Sequence, residues 1–325
     1  MNKSTHICVP SHSEGRRERF PEIENYFSAA EAECRALLSS EKGNLFSSPE
    51  KVMIVDCPVC GSDEFNELFV KWGGLYVQCR HCTHVFVRNM FQPRFLEQLY
   101  MHSKSNNLER KIEMLDEDIA YWREVYRKYI SRFSSFDYDL NVLDVGAGAG
   151  GFARFLREET NFKVSAVELC EEYRSELERI VRPDGRLYWG KSIQDAEIPN
   201  ERFDLITLWG VLEHLPLPNS TLASIKAALK PNGWCLILVP NLFSFSFRIL
   251  GIQTPTINPR EHINFYTPLS MQNLAEQNGF ELISCDYELP VIDLVFPYIQ
   301  YSEDLIEQIA ANGETYYHIY TLKKK

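Results

Sequence analysis

Apolar residues along this chain follow first a helical, then a β-type, then again a helical spacing before the two begin to alternate. Over residues 21–38 they fall at Ile23, Tyr26, Phe27, Ala30, Cys34 and Leu38, which predicts a helix with one buried stripe. Residues 51–92 carry short β-type runs set around cysteine pairs, VMIVDCPVCGSDEF and LYVQCRHCTHVFV. Residues 93–135 return to helical spacing, with Pro93 at a first helical position. One stripe holds Phe95, Leu96, Leu99 and Tyr100; a second holds Ile119, Tyr121, Trp122, Val125, Tyr126 and Tyr129. From 141 onward the pattern predicts strand 141–145, helix 151–159, strand 163–167, helix 171–180, strand 187–190, strand 203–209, helix 219–230 and strand 234–240. Asn219 or Ser220 is the expected cap of the last helix, and Pro231-Asn232-Gly233 its expected end. Helix 268–277, introduced by Thr267-Pro268, and strands 280–288 and 315–322 complete an α/β alternation around a mostly parallel sheet.

The first of these strands runs into a glycine-rich turn, NVLDVGAGAGGFARF over 141–155. Glycine lets the backbone approach a ligand closely, and the helix that follows aims free amides at it, so a nucleotide-like ligand is expected. Gly146, Gly148 and Gly151 also satisfy the dinucleotide fingerprint. Asp144, two residues before the first glycine, suits a ligand with a cationic amino group better than a pyrophosphate. Glu168, at the end of the next strand, is placed to accept hydrogen bonds from both hydroxyls of a ribose, which fits either ligand.

At these residues, and again in FDLITLWGVLEHL (203–215) and LKPNGWCLILVPN (229–241), the chain resembles the class I S-adenosylmethionine (SAM) dependent methyltransferases. The resemblance implies a Rossmann-like sheet of seven strands with helices on both faces and an antiparallel last strand. It implies that Asp144, Gly146 and Gly148 hold the methionine part of SAM and Glu168 the ribose. Leu169 is expected on one adenine face, Ser192, Ile193 and Asp195 along the adenine edge, and Trp209 and Gly210 at the sulfonium end. Glu213-His214 resembles the Glu-His pair of ubiquinone-type O-methyltransferases. Those enzymes carry a further acid three residues earlier, used for a metal, where this chain has Gly210, so no catalytic metal is expected. In the same resemblance, helices at the position of residues 93–137 pack beside the cofactor and help close its site.

Cys57-x-x-Cys60 and Cys79-x-x-Cys82 enclose 18 residues, the spacing of a zinc ribbon. Four thiolates make a closed tetrahedral shell, so structural Zn2+ is expected in a module spanning 51–92, with His81 and His84 beside it. The expected organisation is therefore a tail and helix (1–50), this module, a helical cap (93–137) and a methyltransferase domain (138–325). Within the last, the aromatic and proline-rich insertion 242–267, with Pro255, Pro259 and His262, follows the fifth strand over the edge where open α/β sheets bind ligands, and is expected to be a lid over the acceptor.

The chain carries 34 basic and 45 acidic residues, a net charge of -11, and its cysteine module balances four of each sign. Such a surface repels a phosphate backbone. An RNA methyltransferase with a zinc ribbon is thus the weaker enzymatic alternative, and a silent SAM-binding partner protein the non-enzymatic one. No stretch has the length or apolarity of a signal peptide or membrane helix, and the nine cysteines suit a reducing cytoplasm. His262-x-Asn-Phe-Tyr-Thr-Pro resembles methyltransferases of sugar and surface-polysaccharide pathways, implying a sugar or sugar-nucleotide hydroxyl as acceptor. His262 or His214 is the expected base, an oligomer is possible, and neither nucleic acid nor membrane is an expected partner.

Overall fold

The computed structural model describes residues 20–38, 45–96, 116–133, 139–190, 193–254, 256–288 and 302–325. Helix α1 (Phe20–Leu38) forms where the spacing predicts, with Ala30 and Cys34 buried. The side chains of Ile23, Tyr26, Phe27, Leu38 and Ile119, and the whole of Leu99, Tyr100, Ser192 and Pro255, lie outside the described residues.

The cysteine module supplies β1 (Val52–Ile54), β2 (Phe65–Lys71), β3 (Gly74–Cys79), β4 (Val85–Val87) and β5 (Asn89–Phe91), with β1 paired to β5 and β2-β3-β4 forming an antiparallel sheet. After α2 (Asp116–Ile130) the chain enters a seven-stranded sheet through β6 (Asn141–Val145), α3 (Gly151–Glu159), β7 (Lys163–Glu168), α4 (Arg174–Val181) and β8 (Leu187–Trp189). It crosses back through β9 (Phe203–Trp209), α5 (Pro218–Ala228) and β10 (Leu229–Pro240). The insertion contributes α6 (Phe245–Leu250) and the two-residue β11 (Asn264–Phe265). Next come α7 (Pro268–Gln277), β12 (Phe280–Glu288), α8 (Glu303–Ala311) and β13 (Tyr317–Lys324). Strand order is β12-β13-β10-β9-β6-β7-β8, and β13 is antiparallel to both neighbours, as the resemblance implies.

The continuous apolar runs of β6 and β9 reflect burial on both faces. On one face Val142 and Leu205 meet Tyr129 of α2 and Phe152 and Phe155 of α3. On the other, Leu143 and Ile206 share a core with Leu222 of α5, Leu274 of α7 and, from the cysteine module, Val59, Cys82 and Phe86. Each such buried aliphatic contributes about 1.5–3 kcal/mol, so the module and the sheet stabilise one another through a common interior.

Two local expectations change. Helix α5 starts at Pro218 with Leu217 at its cap, because the Asn219 amide instead donates to the carbonyls of Pro58 (2.8 Å) and Val59 (3.1 Å). The helix also stops at Ala228. Pro231-Asn232-Gly233 forms an irregularity inside β10, whose pairing with β9 shifts register between Leu229 and Trp234 while Asn232 takes φ 60°.

Candidate active site

Parallel pairing sets Asp144 of β6 directly opposite Thr207 of β9, and the Thr207 hydroxyl donates to Asp144 Oδ1 at 3.0 Å. Burial pushes the Asp144 carboxyl up to about 7; the Thr207 bond opposes this and the charge of Glu168 adds to it. A cation at Asp144 would restore the carboxylate, which is the role a ligand ammonium would play.

The turn that follows is held by Gly146 and Ala147 donating to the Val167 carbonyl, at 2.9 and 3.1 Å. Gly146 has φ 70°, and a Cβ there would lie 2.6 Å from Val211 Cγ2, so the turn packs hard against the end of β9. Gly148, at φ 52°, has nothing among the described residues within 4 Å of a would-be Cβ. That open flank beside a helix start is the space through which a cofactor reaches backbone amides, and it fits SAM.

Glu168 ties this turn to β7. Its Oε2 accepts from Gly148 N (2.7 Å), and its Oε1 from Leu169 N and Cys170 N (both 2.8 Å). One lone pair on Oε2 is left, so a ribose can be met by one hydroxyl directly, and a grip on both hydroxyls requires an amide to yield. Leu169, next along, is exposed as an adenine platform requires. Ile193 is buried in the core that holds Val145 and Val167, and Asp195 is exposed.

Thr207 and Trp209 share a face of β9. The Trp209 indole packs into a nest of Tyr126 (5.0 Å between centroids), Phe152 (5.2 Å) and Tyr129 (6.4 Å). Its buried Nε1 has no hydrogen-bond partner among the described residues. Gly210, at φ 67°, then turns the chain so that Glu213 Oε1 lies 3.6 Å from where its Cβ would be.

A 3₁₀ turn, Leu212–His214, carries Glu213 and His214. The insertion brings His262 to them: Ile263 N donates to the Glu213 carbonyl at 3.0 Å, and the two imidazole rings stand 4.8 Å apart. One ligand atom each of Glu213, His214 and His262 falls within 4.8 Å of the others. His262 Nδ1 lies 2.7 Å from the Thr256 carbonyl, so Nδ1 carries the proton and Nε2 offers its lone pair. Loss of hydration lowers both histidines below their ordinary range, and the neighbouring His262 lowers His214 further. Burial acts oppositely on Glu213, which is 2% exposed, lifting its carboxyl to about 8. Sequence reasoning quoted Glu213 only as half of a motif; its depth in the fold is what singles it out.

The insertion is fixed on either side of His262. Arg260, 2% exposed, pairs with Glu33 of α1 and with Glu261. Beyond His262, β11 joins the cysteine-module sheet, with Asn264 opposite Phe86 and Phe265 opposite Val85. Tyr76 OH donates to the His262 carbonyl (3.3 Å), His84 Nε2 pairs with Asn264 Oδ1 (2.9 Å) and Thr83 with Thr267 (2.6 Å).

The four cysteines form matching knuckles. Gly61 N donates to Cys57 O and Thr83 N to Cys79 O, with Gly61 and Thr83 both at positive φ. Cys57 and Cys82 sulfurs are 3.5 Å apart, as are those of Cys60 and Cys79, and all four lie within 4.8 Å. A tetrahedron of ~2.3 Å Zn–S bonds has sulfur–sulfur edges of about 3.8 Å, so the shell fits zinc with small adjustments. His84, buried beside it, is engaged by Asn264, whereas His81 is exposed near Glu64.

The raised carboxyls give a pH prediction. Asp144 and Glu213 keep a proton to about pH 7 and 8 in the folded chain but lose it near 3.8 and 4.5 when unfolded. Unfolding therefore releases protons in that window, so ligand-free stability falls as pH rises from about 4 to 8, by roughly 3–4 kcal/mol per carboxyl. Calorimetric Tm measured across this range should show the fall, and Asp144→Asn should flatten it. An unchanged slope in that variant contradicts the assignment.

A family model described as a methyltransferase domain matches residues 119–285. The ubiquinone biosynthesis O-methyltransferase of Bordetella avium is 30% identical over 154 residues, 43% of this chain and 61% of that protein. That of Hydrogenovibrio crunogenus is 28% identical over 165 residues, 48% of this chain and 67% of that one. Among solved structures, Burkholderia thailandensis 1,6-didemethyltoxoflavin-N1-methyltransferase, with 1,6-didemethyltoxoflavin and S-adenosylhomocysteine bound, superposes at TM-score 0.50 and 16% identity. The match covers 80% of this chain and 99% of that one. The family match, the sheet order and the glycine turn agree: the chain belongs to the class I SAM-dependent methyltransferases.

Proposed function

We propose that the protein moves the methyl of SAM to a hydroxyl of a small polar acceptor, a sugar or sugar nucleotide, bound beneath the 242–267 insertion. SAM, when bound, supplies an electrophilic methyl on a sulfonium. Asp144 receives its ammonium, Gly146 and Gly148 give its methionine part room, Glu168 holds the ribose, and Leu169 flanks the adenine. His262, which offers its Nε2 lone pair, and His214 line the acceptor end. The observation that carries this reading is continuity: Gly146 packs on Val211, two residues before Glu213, which sets the cofactor turn beside the Glu213, His214 and His262 cluster. The chain's work is then alignment and exclusion of water. Relatives named O-methyltransferases support oxygen as the acceptor atom. Cys57, Cys60, Cys79 and Cys82 would hold a structural zinc. None of the eight described cysteines forms a disulfide, which suits a reducing compartment such as the cytoplasm. None of the described helices is long and apolar enough to cross a membrane.

The test is identification of the small molecule released on denaturing purified protein, with calorimetric titration of SAM against NADH. Release of SAM or its demethylated product, and tighter binding of SAM, are the expected results. NADH binding more tightly would overturn the reading.

A further inference from the structure

The reaction must dispose of the acceptor's hydroxyl proton, and the two histidines are poorly suited to keep it. Both are driven to the neutral form by their surroundings, so an imidazolium at either position is disfavoured. The group between them is different. Glu213 is almost fully buried, its Oε2 has no hydrogen-bond partner among the described residues, and its Oε1 lies 3.9 Å from His214 Nε2. An unpaired buried carboxyl oxygen is costly, and it is held here by a fold that spends its other contacts on fixing the turn: Ile263 N donates to the Glu213 carbonyl, and Leu212 sits in the core. The carboxyl stands at the exit of β9, beside Gly210 and behind the Val211 side chain on which the cofactor turn rests.

We propose that Glu213 is a catalytic residue: its carboxylate faces the sulfonium and takes the proton of the acceptor hydroxyl. This rests on the SAM reading above. In the step, the acceptor oxygen forms its bond to the methyl carbon as the carbon–sulfur bond breaks and its electron pair stays on sulfur. The O–H proton passes to Glu213 Oε2. A sulfonium, a carboxylate and an alcohol become a thioether, a carboxylic acid and a methyl ether, so atoms and charge balance. His214 and His262 act as hydrogen-bonding walls that orient the hydroxyl. Buried beside a cation, the carboxyl is ionised; once the cation is a thioether, the same burial makes it hold the proton. The other titratable groups facing it are those two histidines and the Tyr266 phenol, whose OH donates to the Leu212 carbonyl.

The SAM complex and the S-adenosylhomocysteine complex stand for the states before and after transfer, so the test needs no acceptor. Each ligand is titrated calorimetrically into the full-length protein at pH 7.5, in buffers of different ionisation enthalpy. The expected result is that SAM releases about half a proton more than S-adenosylhomocysteine, because an adjacent cation lowers a carboxyl by about 1–3 pH units. Asp144 contributes equally to both, since the two ligands share the ammonium. Infrared difference spectra should show a buried protonated carboxyl with S-adenosylhomocysteine that is lost with SAM. Glu213→Gln should abolish both signals and weaken SAM by about 3- to 200-fold, the reciprocal of the shift in the carboxyl, while changing S-adenosylhomocysteine affinity less than about threefold. Equal proton release by the two ligands in the wild-type protein overturns the proposal, as does a full signal in Glu213→Gln. Failure of the wild-type protein to bind either ligand would instead overturn the SAM reading.

Discussion

Cys79→Ser should abolish methyl transfer while sparing SAM binding. Removing one thiolate opens the closed shell, and structural zinc is worth about 10–16 kcal/mol to small zinc modules. The loss would not stay local. Cys79 ends β3, β3 pairs with β4, and β4 carries β11, whose preceding residues hold His262 over Glu213. Tyr76 OH and the Val87 amide, which bond the carbonyls of His262 and Ile263, belong to the same sheet. A displacement of about 1 Å at the reacting groups costs on the order of 100-fold in rate, so single-turnover transfer should fall at least that far. Asp144, the glycine turn and Glu168 sit on β6 and β7, which share no strand pairing with the module, and calorimetry should give a SAM Kd within about threefold of wild type. Metal analysis should find about one zinc in the wild-type protein and a large loss in the variant. SAM affinity that collapses together with the metal would show that the module supports the whole domain and not the acceptor side.

The second large effect is expected at Glu168. Glu168→Ala removes the acceptor of three amides, those of Gly148, Leu169 and Cys170, as well as the ribose contact. Loss of a charge-assisted hydrogen bond costs about 1.5–3 kcal/mol, so SAM should bind on the order of 30-fold more weakly. Glu168→Gln should not rescue it. Its amide nitrogen cannot accept, so one side of the carboxyl would meet an N–H donor with another. Titration calorimetry on both variants checks this, and a glutamine variant at wild-type affinity would refute the amide-bridging role.

The strands and the cofactor turn were legible because each rests on a local signal: an apolar run buried on both faces, an acid at a strand end, glycines where φ must be positive; the antiparallel last strand comes with the family resemblance. The cysteine knuckles were legible from spacing alone. Three features were not. Asn219 reads as a helix cap in any local window, and only the distant Pro58 and Val59 carbonyls recruit it elsewhere. The two residues of β11 are too short to carry a period, and their pairing depends on a strand far back in the chain. Glu213 reads as an ordinary acid beside a histidine. Its properties come from burial, which raises a carboxylate's basicity as it lowers an imidazole's; the sequence expectation of a base falls on the two histidines beside it, and our proposal moves that role to the acid.

The late arrival of β11 also bears on how the polypeptide is made. All three residues of β4, Val85, Phe86 and Val87, are buried, and β11 closes its outer side. On the ribosome this strand emerges long before its partner: about 180 residues separate them, roughly 10–35 s of synthesis. Throughout that interval the nascent chain shows an unprotected apolar edge, the kind that recruits other chains. Fragments that stop before residue 264 would carry the same edge permanently and should precipitate on expression, whereas boundaries drawn beyond α7 keep the strand covered.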